Sequence, residues 1–190
     1  MRKARTLRLT CAAAALAALG VIGFGGSASA TKAPAKTDVT TITMEFNRAD
    51  RDIFFDGPRT VAAGDQLKIK NNTNPRAVGP HTFSLVREAD LPRTNEQIKA
   101  CAKKFTRICG AIARWHELDF DTGQVHENPV DVGKQGWDEK GSLKRKGDSW
   151  FTQTKGERFQ RKVTAPAGKS LSFICAVHPA MQGKINVVEG

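Results

Sequence analysis

The chain has 190 residues, 26% of them charged and 39% hydrophobic, with a formal net charge of +11. That length supports one ordinary domain with a real core. The positive charge favours acidic partners and steers them at low salt, but no nucleic-acid-binding motif accompanies it, so nucleic acid is excluded as the expected partner.

The N-terminus reads as a leader. Arg2, Lys3, Arg5 and Arg8 precede an apolar stretch from about Leu9 to Gly25, and Ala28-Ser29-Ala30 gives a small-x-small cleavage site. Residues 1–30 are therefore expected to be a secretory signal peptide, with residues 31–190 forming a single domain. A retained membrane anchor fits less well, because the apolar run is shorter than the roughly 20 residues a bilayer requires. No other segment suggests a stable membrane span. Cys11 lies at the beginning of the apolar run and not after it, which argues against a lipoprotein. Export would place the protein in the periplasm, at the cell surface or in the medium. Cys101, Cys109 and Cys175 remain after cleavage, and an odd count in an oxidising compartment implies one pair and one thiol with another use.

Residues 31–36 (TKAPAK) read as a lead-in, and strand patterns follow. Ile42, Met44 and Phe46 share one face of a strand expected at about 39–46. Ala63-Gly64-Asp65 marks a turn, after which Leu67 and Ile69 alternate with polar residues. Residues 71–80 are rich in Asn, Pro and Gly and are expected to be a loop. His81, Phe83 and Leu85 share parity in the next strand. Phe159 and Val163 share a face, with Arg161 awkwardly between them. Ala165-Pro166-Ala167-Gly168 is a turn. Leu171, Phe173 and Cys175 share a face, as do Ile185 and Val187. Short alternating strands with turn punctuation predict an all-β antiparallel sandwich or barrel.

The middle, about 87–156, breaks this pattern. Ile98, Cys101, Phe105, Ile108, Ile112 and Trp115 recur at helical steps, with Thr94 or Asn95 as a cap. Cys101 and Cys109 conflict with that helix. Eight residues of continuous helix separate Cα atoms by about 12 Å, whereas a disulfide needs them within about 7 Å. Either the helix breaks near Lys104 and the bond forms, or the thiols stay apart. Export tilts the choice toward the bond. No convincing period is visible from 117 to 149. Trp115, Trp137 and Trp150 are expected to pin the region onto the sandwich, and Lys144-Arg145-Lys146 to be solvated.

The segment Cys175-Ala176-Val177-His178-Pro179-Ala180-Met181 places a thiol, an imidazole and a thioether within seven positions, as C-x2-H-x2-M. A second imidazole, His81, begins a separate strand. Two imidazoles, a thiolate and a weak axial thioether are the donor set of a blue-copper site. Cys175 would point inward from the end of its strand, with His178 and Met181 in the turn that follows. Pro179 would restrain that turn, and Gly183 would allow a sharp exit from it.

The chain thus resembles a cupredoxin, the plastocyanin/azurin family of type 1 copper proteins, and its CAVHPAMQGKINVVE segment is closest to amicyanin. The resemblance covers about 37–86 and 157–190. It implies a Greek-key sandwich, from which the stretch of about 87–156 departs as a long, partly helical insertion. It also implies one copper per chain and single-electron transfer between redox partner proteins, not enzymatic turnover. Carried over, His81 and His178 would be equatorial ligands, Cys175 the thiolate and Met181 the axial donor. Thr82 would offer its backbone N–H to the sulfur. Asn72, with Asn71, could tie the His81 loop to the ligand loop, although ordinary turn chemistry accounts for that pair equally well. The His178 edge would be the electron port, rimmed by Pro80, Val177, Pro179 and Ala180 as an apolar docking face. The alternatives are a copper carrier or buffer without a shuttle role, and an interaction module holding copper for stability.

His116 and His126, with Glu117, Asp119, Asp121 and Glu127, could form a second metal site, but an acidic surface loop is the simpler expectation. Asp119-x-Asp121-x-Gly123 lacks the distal ligands of a calcium loop. The chain has no H-x-H pair, C-x-x-C-H haem site, nucleophile elbow or phosphate loop.

Overall fold

The computed structural model describes residues 37–104, 106–118 and 130–190. The expected leader, the 31–36 lead-in, and His126 with Asp119, Asp121 and Glu127 lie outside these residues.

Among the described residues, ten strands form two sheets. The smaller holds β1 (Val39–Asn47), β2 (Asp52–Asp56), β4 (Gln66–Asn71) and β8 (Arg158–Lys162), in the order β2-β1-β4-β8. The larger holds β3 (Thr60–Ala62), β5 (His81–Val86), β6 (Asp131–Val132), β7 (Ser149–Thr152), β9 (Ser170–Ile174) and β10 (Gln182–Val188), in the order β3-β10-β9-β5-β7-β6. The chain passes between sheets at β2–β3, β3–β4, β4–β5, β7–β8 and β8–β9, the switching expected of a Greek-key sandwich. β1 lies parallel to β4, and β3 parallel to β10. Ile42, Met44, Leu67 and Ile69 of the first sheet meet Phe83, Leu85, Leu171, Phe173, Ile185 and Val187 of the second in one core. Phe55, Phe83, Phe173 and Trp137 interlock there, with edge-to-face contacts at 5.1–5.6 Å between centroids and Phe83 tilted on Phe173 at 4.6 Å, the arrangement that ring quadrupoles favour.

The stretch read as an insertion divides. Its first part is helical: α2 (Asn95–Lys104) and α3 (Arg107–Trp115). Thr94 caps α2 by accepting from the Gln97 N–H at 3.2 Å, while the Gln97 side chain accepts from the Arg93 N–H, a reciprocal cap. The helices break between Lys104 and Arg107, and a disulfide joins Cys101 to Cys109 with Cα atoms 5.4 Å apart. The second part is sandwich, since β7 pairs with β5 and β6 pairs with β7. Trp150 belongs to β7 itself. Trp137 anchors in the main core, where its Nε1–H donates to the Leu67 carbonyl at 3.1 Å, and Trp115 lies in a second core.

That second core covers the outer face of the larger sheet. Val86, Ile174 and Ala176 pack there with Ile108, Cys109, Ile112 and Trp115. It explains why all six residues of β5 are buried, polar ones included. Arg161, which interrupts the Phe159/Val163 face, is also accommodated. Its guanidinium lies over the Trp137 and Phe159 rings and donates to Asp131 and the Val132 carbonyl, so its stem packs like an apolar residue.

Candidate metal centre

Antiparallel pairing sets the site. β5 and β9 run in opposite directions, so the start of β5 meets the end of β9. His81 begins the one and Cys175 follows the other. The ligand loop is closed by two backbone bonds, from the Cys175 N–H to the Met181 carbonyl at 3.0 Å and from the Met181 N–H to the His178 carbonyl at 2.8 Å. Gly183 serves differently from the sharp exit expected. It lies inside β10, and a Cβ there would stand 2.2 Å from the Phe173 ring. Glycine leaves room for the aromatic beneath the loop.

One donor atom from each of His81, Cys175 and His178 lies within 4.8 Å of the other two. Cys175 Sγ is 3.8 Å from His81 Nδ1 and 3.6 Å from His178 Nδ1. A metal–sulfur bond of about 2.3 Å and a metal–nitrogen bond of about 2.0 Å, opened by about 120°, separate sulfur and nitrogen by about 3.7 Å. The three side chains therefore fit one ion between them. Met181 is buried in the main core beside them.

Hydrogen bonds fix which nitrogen each ring presents. The His178 Nε2 lies 2.7 Å from the Val78 carbonyl, which can only accept, so Nε2 carries the proton and Nδ1 a lone pair. For His81 the chain is longer. Asn71 Oδ1 accepts from the Thr73 N–H at 2.9 Å, and Asn71 Nδ2 donates to the Thr154 carbonyl at 3.3 Å, which orients the amide. The Thr73 hydroxyl donates to that same Oδ1 at 2.7 Å. Its proton thus committed, it accepts from His81 Nε2 at 2.8 Å. Both rings aim Nδ1 lone pairs at the sulfur, set by outer partners as metal-bound imidazoles are.

Burial pushes the His81 pKa down to about 4, helped by the neighbouring His178. Burial lowers that of His178 too, against the opposing pull of the Val78 carbonyl. Both rings therefore stay neutral near pH 7. Burial pushes the Cys175 thiol up, opposed first by the Thr82 backbone N–H, 3.4 Å from the sulfur, and then by those of His178 and Val177. A cation at the same point would reverse that balance and favour thiolate.

Other expected residues fall differently. Asn72 turns its amide to Glu45, because alternation along β4 sends it away from the face that buries Asn71. Asn71 and Thr73 support His81 instead. Asn71 was named with Asn72, whereas Thr73 was not, and the Asn-x-Thr turn spacing was the sequence signal that could have found it. The 71–80 loop contains a short helix, α1 (Pro75–Val78), capped by Asn74 and ending at Gly79 with φ of 83°. Its last carbonyl occupies the outer nitrogen of His178, so the expected electron port is not a bare ring edge. Around it, Pro80 and Val177 are half-buried, Ala180 is exposed and Pro179 is buried. Cys175 is the free cysteine among the described residues. His116 lies on no surface loop: it is 1% exposed and bonded to Ser149 at 2.7 Å.

No family model matches the sequence, and no curated protein matches it. Among solved structures, a reduced auracyanin from Roseiflexus castenholzii aligns at 16% identity over 81% of this chain and 98% of its own, with a TM-score of 0.40. Auracyanin A, described as a "blue" copper protein from Chloroflexus aurantiacus, aligns at 21% identity over 80% and 99%, with a TM-score of 0.40. A purple cupredoxin from Nitrosopumilus maritimus aligns at 13% identity over 77% and 97%, with a TM-score of 0.37. At these scores and identities the likeness adds no residue-level correspondence. The case for the site rests on this chain's own distances and hydrogen bonds.

Proposed function

We propose that this chain is an exported cupredoxin that carries single electrons between redox partner proteins. The observation that supports it most is the convergence of two Nδ1 lone pairs and one buried thiol on a single point, each held by partners outside the site. The donor types select copper, which when bound supplies a one-electron Cu(I)/Cu(II) couple. His81, Cys175 and His178 would hold it, with Met181 as the weak axial donor in a short loop of the amicyanin kind. The 1–30 leader would deliver the protein outside the cytoplasm. Among the described residues no helix is long and apolar enough to cross a membrane.

Burial favours a shuttle over a carrier that hands its metal on. His81 and Cys175 are each 0% exposed, so donors cannot readily exchange with a chelating partner. The hydrogen-bonded surroundings of His81, Cys175 and His178 would hold the donors in one arrangement whichever oxidation state the bound copper had. Acidic partners fit the end that carries the donor cluster, where Arg48, Arg51 and Lys155 outnumber Glu45 along a cleft that includes Thr73. None of the three cations joins a side-chain ion pair among the described residues.

The test is the visible spectrum and potential of the copper-loaded protein. Cys175→Ser is expected to abolish the charge-transfer band, because that band requires a copper–thiolate bond; a surviving band would remove Cys175 from the site. Met181→Leu is expected to keep the colour and raise the potential. An unchanged potential would exclude Met181 as a donor.

A further inference from the structure

The outer face of the larger sheet carries a buried polar chain that the metal donors do not use. Ser84 on β5 and Ser149 on β7 stand directly opposite each other, with hydroxyls 2.6 Å apart. Ser84 Oγ donates to Thr82 Oγ1 at 3.1 Å, which leaves Ser149 to donate to Ser84. With its own proton used, Ser149 can only accept from His116 Nε2 at 2.7 Å. The order runs one way: His116, Ser149, Ser84, Thr82. Four buried polar groups lie in series in a largely apolar layer, where an unmade bond is costly.

The chain ends on the residue that grips the thiol. The Thr82 hydroxyl accepts from the Ala176 N–H at 2.9 Å and donates to the Ile174 carbonyl at 3.5 Å. Its own N–H points at Cys175 Sγ. Thr82 thus holds the backbone on both sides of Cys175 and donates to the sulfur itself. At the far end, His116 closes the C-terminus of α3, where its N–H bonds back to the Ile112 carbonyl, and its ring lies 5.9 Å from that of Phe151.

We infer that His116 is a positioning residue for the metal centre, acting through Ser149, Ser84 and Thr82 on the hydrogen bond to Cys175 Sγ. The helical segment is thereby part of the centre's support. A hydrogen bond to a ligating sulfur draws charge from it and favours the lower oxidation state. Loosening Thr82 therefore lowers the potential without removing a ligand. The inference rests on the copper reading for its functional meaning, but the chain itself can be tested without metal.

The experiment compares wild type with His116→Leu, which has no donor, and His116→Gln, which keeps an N–H. In the metal-free protein, His116→Leu is expected to shift the Thr82 and Ala176 amide resonances, and His116→Gln to restore them toward wild type. In the copper-loaded protein, His116→Leu is expected to retain one copper, move the charge-transfer band and lower the potential, while His116→Gln stays near wild type. Should His116→Leu fail to fold, Ser149→Ala interrupts the same chain without touching α3 and is expected to give the same shifts. Unchanged amides and potential in His116→Leu or Ser149→Ala would overturn the inference, as would equal effects from Leu and Gln at 116. A wild-type protein that takes up no copper would instead sink the proposed function, and the amide shifts would still decide the role of His116.

Discussion

The inner face of the larger sheet packs Phe83, Trp150 and Phe173 against the smaller sheet, whereas its outer face packs Val86, Ile174 and Ala176 against α3 and the Cys101–Cys109 disulfide. The inner face is a mesh of large rings. The outer face is mostly aliphatic with Trp115 at its side, and it is threaded by a polar chain and tied covalently. Cys175 belongs to the inner face and its two neighbours to the outer. A ligand strand buried on both sides cannot shift toward either, so the outer cover holds the donor geometry while the inner core carries most of the fold's stability.

That division can be broken at several points. The largest effect is expected from Phe83→Ala, which empties the centre of the aromatic mesh and should cost about 4 kcal/mol in chemical denaturation. A loss below about 1 kcal/mol would show that stability does not reside mainly on the inner face. Acidification of the metal-free protein comes next. The His81 pKa is about 4 in the folded state and near 6.5 in the unfolded chain. The unfolded state therefore takes up the proton first. Stability is full above about pH 6.5 and falls as pH drops toward 4, by up to about 3 kcal/mol, with His178 adding in the same direction. Urea midpoints between pH 7 and 4 would measure this, and His81→Phe should flatten much of the slope. The smallest effect is expected from Cys101→Ser with Cys109→Ser. Opening so short a loop should cost about 2.5 kcal/mol and leave one copper bound, in contrast to any change at Cys175. Loss of copper uptake in that double variant would mean that the outer face builds the centre as well as steadying it.

Legibility in the sequence followed burial. β1, β4, β9 and β10 show alternation because one face of each meets the core and the other meets a different environment. The C-x2-H-x2-M spacing was visible because a tight loop keeps its donors close in sequence. β7 escaped notice because Ser149, Trp150, Phe151 and Thr152 are all buried, and two adjacent rings between two hydroxyl residues give no alternating rhythm. The same cover hid the role of His116, which stands in sequence between Trp115 and Glu117 while its neighbours in space include Ser149 and Phe151. Asn71 and Asn72 could not be told apart because composition marks a turn but does not reveal parity at a strand end. The choice at Cys101 and Cys109 turned on a helix break between Lys104 and Arg107 that three- and four-residue steps do not register.

His81 and Cys175 stand 94 positions apart, yet β5 and β9 lie side by side. The donor set is complete only when these two distant stretches of chain have paired. In the copper reading, uptake of the ion would therefore report that this long-range pairing has been made.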